Sequence, residues 1–171
     1  MRKRGNRIHH SRRDPTAFVR LFGDRLLVPS AHAMKVELAY HLALEEMRMG
    51  RGTDTGMNQL AYALNLALVL CELGFRNEQA ACIRLAQECL VRVGADGRRG
   101  GRWCVDEEAY RAIGPALAVH DHQLETATVT QIRRAERTIL DRIATGDVVR
   151  VEAVQPHACP NKEGDSRGKC R

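Results

Sequence analysis

The segment LAYALNLALVLCELG, residues 60–74, is the feature that most constrains the fold of this chain. It is apolar around nearly the whole circumference of a helix, and only Asn65 and Glu72 interrupt it. A helix of this kind is buried among other helices or, when its apolar run is longer, spans a membrane. Because no unbroken apolar run approaches the ~18 residues of a membrane span, we predict a buried central helix at about 57–73.

Composition favours helices for the rest of the core as well. Aromatic residues make up 4% of the 171 residues, so the core must be built mainly from Leu, Ala, Val, Ile and Met. Strands are usually richer in aromatic and β-branched residues. We therefore predict an all-α, single-domain bundle of five to six helices.

Capping residues and glycines mark where these helices begin and end. Asp14-Pro15 and Ser30 are typical helix starts, and Gly50 and Gly146 are typical ends. We interpret ADGRRGGRW, residues 95–103, as a loop, and Gly114-Pro115 as a break between two short helices. The inward-facing apolar stripes are predicted to be Met34, Leu38, Leu42 and Met47, then Ala81, Leu85, Cys89 and Val93, and finally Ile132, Ala135, Ile139, Leu140 and Ile143.

Charge divides the chain into three parts. Residues 1–13 contain six basic residues and no acidic one, whereas the remaining 21 basic and 21 acidic residues balance. We predict a disordered basic arm at 1–13, a helical domain at 14–146, and an extended segment followed by a disordered cysteine-containing tail at 147–171. The apolar segment DVVRVEAV in the last part has the composition of a short strand. No apolar stretch of signal-peptide type follows the arm, so we expect a cytoplasmic protein without membrane contact.

Basic residues outline a candidate nucleic-acid interface, because arginine and lysine at this density neutralise phosphates and release counterions. The candidate residues are Arg2, Lys3, Arg4, Arg7, Arg12 and Arg13 of the arm, Arg98, Arg99, Arg102 and Trp103 of the Arg-rich loop, and Arg133, Arg134 and Arg137 of the last helix. Each set has an alternative interpretation. The arm could be a solvated terminus, Trp103 could turn inward onto the bundle, and Arg137 could form an i,i+4 ion pair with Asp141.

Other clusters are weaker candidates for chemistry. His120 and His122 flank Asp121, but two residues on a helix differ by about 200°, so the histidines cannot bind one metal ion together. Pairing of one histidine with Glu125 is the simpler interpretation. Glu37, His41 and Glu45 share one helix face, which is more typical of an ion-paired surface than of a zinc site. Of the six cysteines, four are predicted to be core or near-core thiols, at positions 71, 82, 89 and 104. For Cys159 and Cys170 the sequence leaves a disulfide and a metal site as alternatives.

Two stretches resemble a known family. RMGRGTDTGMNQLAYALNLALVLCELG and GRWCVDEEAYRAIGPALAVHDHQLETATVTQIRRAERTILDRIATGDV are similar to small helical proteins encoded on phages, plasmids and integrated elements of proteobacteria. The similarity covers about residues 47–75 and 101–148. It implies a mobile-element accessory protein, and no functional residue follows from it because the family has no assigned activity.

Three functional hypotheses result. The first is a non-enzymatic accessory protein, without cofactor or metal, that binds DNA, RNA or a nucleoprotein target through the arm and the Arg-rich loop. The second is an anti-defence inhibitor, anti-CRISPR-like, that docks by protein–protein contact on a host nucleoprotein complex. The third is an enzyme that uses His120 or His122, but the sequence contains no nucleophile, phosphate-loop or metalloprotease motif in its favour.

Overall fold

The computed structural model of the protein describes residues 26–146, and this part of the chain is an all-α bundle. Its helices are α1 (Ser30–Arg48), α2 (Asp54–Glu72), α3 (Ala80–Gly100), α4 (Glu107–Thr126) and α5 (Val129–Thr145), with a 3-10 turn at Asn77–Gln79 before α3. No strand occurs among the described residues, although two isolated bridges join Leu27 to Thr128 and Gly52 to Trp103. The predicted fold class is confirmed. The arm at 1–13, the helix expected from Asp14-Pro15 and the segment DVVRVEAV lie outside the described residues.

Helix α2 is the centre of the bundle and packs against each of the other four helices. Its first turn is capped by the Thr53 hydroxyl, which accepts from the Gly56 amide, and Gly74 follows its end at a φ of 99°. Leu60, Leu64 and Leu70 are completely buried. The predicted central helix at 57–73 is therefore confirmed, because its continuous apolar surface has neighbours on all sides.

Two apolar clusters divide the core. The larger one joins α1, α2, α3 and α4. The smaller one joins the second half of α2 to α5 through Leu66, Val69, Leu70, Ala127, Ala135 and Ile139. Helix α5 thus packs chiefly on α2. Thr128 and Gln131 form a reciprocal capping box at its start. Gly146 ends the helix, as the sequence predicted.

The predicted loop at 95–103 is wrong over its first half, because α3 continues to Gly100. Gly94 and Gly97 are buried on the inner face of α3, where neighbouring side chains leave no room for a Cβ. A Cβ on Gly94 would lie 2.7 Å from Met57 Cε, and one on Gly97 would lie 2.4 Å from Trp103 Cε3. These glycines permit close packing of a helix and do not terminate it. The end comes at Gly101, whose φ of 66° is the left-handed conformation that glycine adopts easily.

The predicted break at Gly114-Pro115 is also wrong, because α4 runs without interruption from Glu107 to Thr126. Proline in a helix removes one hydrogen bond and crowds the preceding turn. Here its neighbours Ile113, Ala116 and Leu117 are completely buried, so tertiary packing keeps the chain helical across the proline.

Three predicted apolar stripes are partly wrong in direction. Helix α1 buries Met47, but its packed face otherwise consists of Ala33, Tyr40, Ala43 and Leu44. The predicted inward residues that are exposed are Met34, Leu38 and Leu42 of α1, Ala81 and Leu85 of α3, and Leu140 and Ile143 of α5. Small residues such as Ala33, Ala43 and Ala86 lie inside instead, because they allow the helices to approach closely.

Candidate nucleic-acid interface

The predicted Arg-rich loop is in fact the last turn of α3 and the segment after it. Arg98 and Arg99 lie in that turn, and Arg102 follows the C-cap glycine. All three side chains are exposed. The helix fixes the direction in which Arg98 and Arg99 leave the backbone, so these residues belong to a formed surface of the bundle.

The structure adds Arg51 to this set. Gly52 forms a bridge with Trp103, and the Val105 amide donates to the Met47 carbonyl oxygen at 3.2 Å. A Cβ on Gly52 would lie 2.2 Å from the Trp103 carbonyl oxygen, so only glycine permits this approach. The segment after α1 therefore lies beside the segment after α3, which places Arg51 near Arg102. Sequence reasoning missed Arg51 because no pattern shows that these two segments pair.

The charges at this end of the bundle are partly neutralised. Arg99 pairs with Asp96, and Arg92 lies 3.3 Å from Glu108 and 3.9 Å from Asp106. By contrast, Arg51, Arg98 and Arg102 form no ion pair with another residue of the described part. We call these three residues the α3-end patch. The predicted site residue Arg99 is not included in this patch, because its side chain pairs with Asp96.

An open depression adjoins this patch. It has a volume of about 470 Å³, and Arg92, Asp96, Arg102, Cys104 and Asp106 contribute to its walls. Both carboxylates that line the depression already have partners. Asp96 pairs with Arg99, and Asp106 caps α4 by accepting from the Ala109 amide at 2.7 Å. Arg102 is the basic residue of the depression that has no ion-pair partner within the described residues.

Trp103 takes the inward orientation that the sequence left as an alternative. Its ring lies against Gly97 and packs on the main core cluster, and the side chain is partly buried. A tryptophan held in this way supports the bundle next to the α3-end patch. One side of the ring is occupied by Gly97 and is not open to stacking on a base.

The arginines of α5 form a second, separate basic surface. Arg133, Arg134 and Arg137 are exposed. The predicted ion pair of Arg137 with Asp141 is not formed; the Arg137 Nε donates instead to the Arg133 carbonyl oxygen at 3.5 Å. Helix α5 packs on the second half of α2, whereas Arg51 of the α3-end patch precedes the first turn of α2. The structure therefore does not bring the arginines of α5 and the α3-end patch together.

Acidic and tyrosine side chains near the α5 arginines form hydrogen bonds and ion pairs between α5 and α2. The Tyr62 hydroxyl donates to Glu136 Oε1 at 3.1 Å, and burial together with that carboxylate raises the pKa of Tyr62 to about 12. Arg142 pairs with Glu72 of α2. Glu136 is therefore turned towards α2, and the outer face of α5 carries the three arginines together with the exposed Asp141.

The histidines have structural partners. His120 is buried, and its Nδ1 lies 3.4 Å from Gln123 Oε1. Asp121 accepts from the Tyr40 hydroxyl and lies 2.9 Å from His41 Nε2, so this carboxylate joins α4 to α1. His122 is exposed and lies 3.4 Å from Glu125, the pairing that the sequence favoured.

The Glu37, His41 and Glu45 face is an ion-paired surface in the structure. Glu45 accepts from Tyr110 and pairs with Arg48, and these hydrogen bonds lower its pKa. Burial and the nearby carboxylates of Asp121 and Glu125 raise the pKa of Glu37. Among residues 26–146 no three His, Cys, Asp or Glu side chains are grouped so as to bind a metal ion.

The four described cysteines are free thiols, with Cys71 and Cys89 buried as predicted. Burial raises the pKa of the Cys71 thiol, which donates to the Arg76 carbonyl oxygen at 3.1 Å. Cys159 and Cys170 lie outside the described residues. So do the six arm residues Arg2, Lys3, Arg4, Arg7, Arg12 and Arg13.

No protein-family model, curated protein or solved structure matches this chain. The resemblance to mobile-element proteins therefore stays a prediction. No helix of the described part is long and apolar enough to cross a membrane.

Proposed function

We propose that the protein is a non-enzymatic accessory protein of a mobile genetic element that binds DNA or RNA through phosphate contacts. The basic arm would supply the first contacts, and the α3-end patch would hold the nucleic acid against the folded bundle. The mobile-element part of this proposal rests on the sequence resemblance alone.

The observation that supports the proposal most directly is that the arginines of the α3-end patch have no ion-pair partner among the described residues. Arg51, Arg98 and Arg102 come from two different segments, converge on one end of the bundle, and form no ion pair within the described residues. Exposed arginines without carboxylate partners are free to donate to phosphate oxygens. Phosphate contacts carry no sequence information, so the expected binding has little sequence preference.

The test is a fluorescence-anisotropy titration of the full-length protein with labelled single- and double-stranded DNA and RNA at two salt concentrations. Two triple variants remove the same charge from different surfaces. One replaces Arg51, Arg98 and Arg102 by glutamine; the other replaces Arg133, Arg134 and Arg137 by glutamine. A third protein lacks residues 1–13.

We expect the α3-end triple variant and the arm deletion each to weaken binding at least tenfold and to reduce the salt dependence by about one unit of log–log slope per lost phosphate contact. The α5 triple variant is expected to bind as the original protein does. If the α5 variant alone loses affinity, the interface is on α5. If the full-length protein binds none of the nucleic acids at moderate salt, the proposal is wrong and the inhibitor hypothesis replaces it.

A further inference from the structure

Helix α1 has two apolar faces, of which the bundle uses only one. Tyr40, Leu44 and Met47 pack into the core. Met34, Leu38 and Leu42 recur every four residues on the opposite side of the helix, where they are 65%, 57% and 53% exposed. Met49, directly after the helix, is 55% exposed and lies on the same side by helical periodicity. We call these four residues the outer α1 stripe.

This stripe differs from the other exposed apolar residues. Single exposed leucines are ordinary on protein surfaces, and Leu85 of α3 is an example. Four long apolar side chains lie on one side of one helix, and Glu45, which is held by Arg48 and Tyr110 of the same chain, lies between Leu42 and Met49. Apolar stripes of this kind mark interfaces. The stripe is also long enough to contact another helix over most of the length of α1.

Charged residues beside the stripe indicate what covers it. Lys35 and Glu46 are both exposed, and neither forms an ion pair with another described residue. They are eleven residues apart, which brings them to within about 20° of each other around the helix, on the same flank of the stripe. Opposite charges at the two ends of one flank are complementary to the same flank of a second, antiparallel copy.

We propose that two copies of this chain pair through α1 in an antiparallel arrangement, with the two-fold axis near residues 40 and 41. This arrangement places Leu38 opposite Leu42 of the second copy and Met34 near Met49 of the second copy. Lys35 then lies opposite Glu46 of the second copy, and the pair occurs twice because the interface is isologous. One register satisfies the apolar contacts and the charge pairs together.

A parallel pair does not have this complementarity. Lys35 and Glu46 would be separated by about 16 Å along the helix axis, beyond the reach of an ion pair. On the other flank, His41 is already paired with Asp121 and Arg48 with Glu45 of the same chain. The charges available for an intermolecular contact are therefore those that favour the antiparallel pair.

The interface is a single pair of helices, so the dimer is expected to be reversible. Interfaces of this kind fall at or below the small end of the range for stable complexes, about 1,200 Å² of total buried area. We expect dissociation in the micromolar range, which makes the oligomeric state depend on protein concentration in an accessible range.

The test is sedimentation velocity of the full-length protein from micromolar to submillimolar concentration. The original protein is expected to shift from monomer to dimer. Leu38→Glu is expected to remain monomeric throughout, because a carboxylate at the centre of the stripe would face apolar side chains of the second copy. Leu85→Glu makes the same change at a leucine of similar exposure on α3 and is expected to dimerise normally.

A charge exchange tests the antiparallel register without disturbing the apolar contacts. Lys35→Glu and Glu46→Lys are each expected to weaken the dimer several-fold, because each places like charges opposite one another twice. The double variant restores opposite charges and is expected to regain the original dissociation constant. Circular dichroism checks that every variant keeps its helix content.

Three results would overturn the proposal. The original protein could be monomeric at every concentration, in which case another partner or another segment of this chain covers the stripe. The dimer could persist in Leu38→Glu, which would place the interface elsewhere. The double charge variant could fail to recover, which would exclude the antiparallel register.

Discussion

Gly97 lies directly against the indole ring of Trp103, so closely that a Cβ on Gly97 would come within 2.4 to 2.8 Å of three ring carbons. This contact holds the last turn of α3 against the segment that follows it. The same contact turns Trp103 inward and sets the position of Arg98 and Arg102 on either side.

Replacement of Gly97 by alanine tests this relationship. The added methyl group must displace the Trp103 ring, and overpacking of this kind costs about 1–3 kcal/mol. Alanine regains about 1 kcal/mol through its higher helix propensity. We expect a net loss of up to about 2 kcal/mol in the free energy of unfolding, measured by urea denaturation with far-UV circular dichroism.

Gly100→Ala is the matched control, because Gly100 ends the same helix and a Cβ there meets no atom within 4 Å. This variant is expected to be unchanged or more stable by up to about 1 kcal/mol. Equal stability of the two variants would show that the ring does not occupy the space beside Gly97.

Gln123 is a second internal connection, between α4 and the end of α2. Its side-chain amide is completely buried and donates to the Ala67 carbonyl oxygen at 3.1 Å and the Phe75 carbonyl oxygen at 2.9 Å. Gln123→Met preserves the volume but removes both donors. A buried polar group left without a partner costs about 1–3 kcal/mol, so we expect a loss of about 2–3 kcal/mol on urea denaturation.

Gln59→Met serves as the control, since Gln59 is an exposed residue of α2. Its stability is expected to change by less than about 0.5 kcal/mol. The connection through Gln123 would be refuted if Gln123→Met were as stable as this control.

The sequence correctly predicted those helices whose position depends on residues within the same segment. The apolar circumference of residues 60–74 identified the central helix, and Gly146 marked the end of α5 correctly. The errors arose where the outcome depends on a partner that is distant in sequence. Gly97 has the same local pattern whether it ends a helix or makes room for Trp103, and nothing near Arg51 shows that its segment pairs with the one at Trp103.

The prediction of which apolar residues face inward was partly wrong for a related reason. A leucine stripe predicts a buried face, but α1 carries apolar residues on both sides and the sequence pattern cannot rank them. The bundle buries the side with Ala33 and Ala43, which allows α2 to approach closely, and leaves Leu38 outside. At the candidate interface the structure shows Arg98 and Arg102 exposed and Arg99 paired with Asp96, and it adds Arg51, which the sequence did not indicate.

The burial of His120 predicts a pH dependence of stability. Burial disfavours the charged imidazole and lowers its pKa from 6.5 to about 4. Between these values the unfolded chain binds more protons at this site than the folded one, so the folded state loses stability as the pH falls below about 6.5. From about pH 7.5 to about pH 5 this site is expected to remove about 2 kcal/mol from the free energy of unfolding.

The measurement compares that loss between the original protein and His120→Gln, in each case by urea denaturation at the two pH values. The loss is expected to be about 2 kcal/mol smaller in His120→Gln, because glutamine does not titrate. His122→Gln, at an exposed position of the same helix, is expected to keep the original pH dependence. An unchanged pH dependence in His120→Gln would contradict the assignment.

Pro115 provides the last prediction, because α4 continues through it at a cost. The proline nitrogen cannot donate to the Arg111 carbonyl oxygen, and a proline inside a helix costs about 3 kcal/mol relative to alanine. Part of this cost is offset because proline also restricts the unfolded chain, by about 1 kcal/mol. Since Pro115 is exposed, alanine can restore the missing hydrogen bond without creating a cavity.

We expect Pro115→Ala to raise the free energy of unfolding by about 1–2 kcal/mol, measured by urea denaturation. Pro29→Ala, at the N-cap of α1, removes a proline that interrupts no helical hydrogen bond and is expected to give no gain. Destabilisation by Pro115→Ala would instead mean that the rigid ring helps to position the buried residues Ile113 and Leu117 on either side of it.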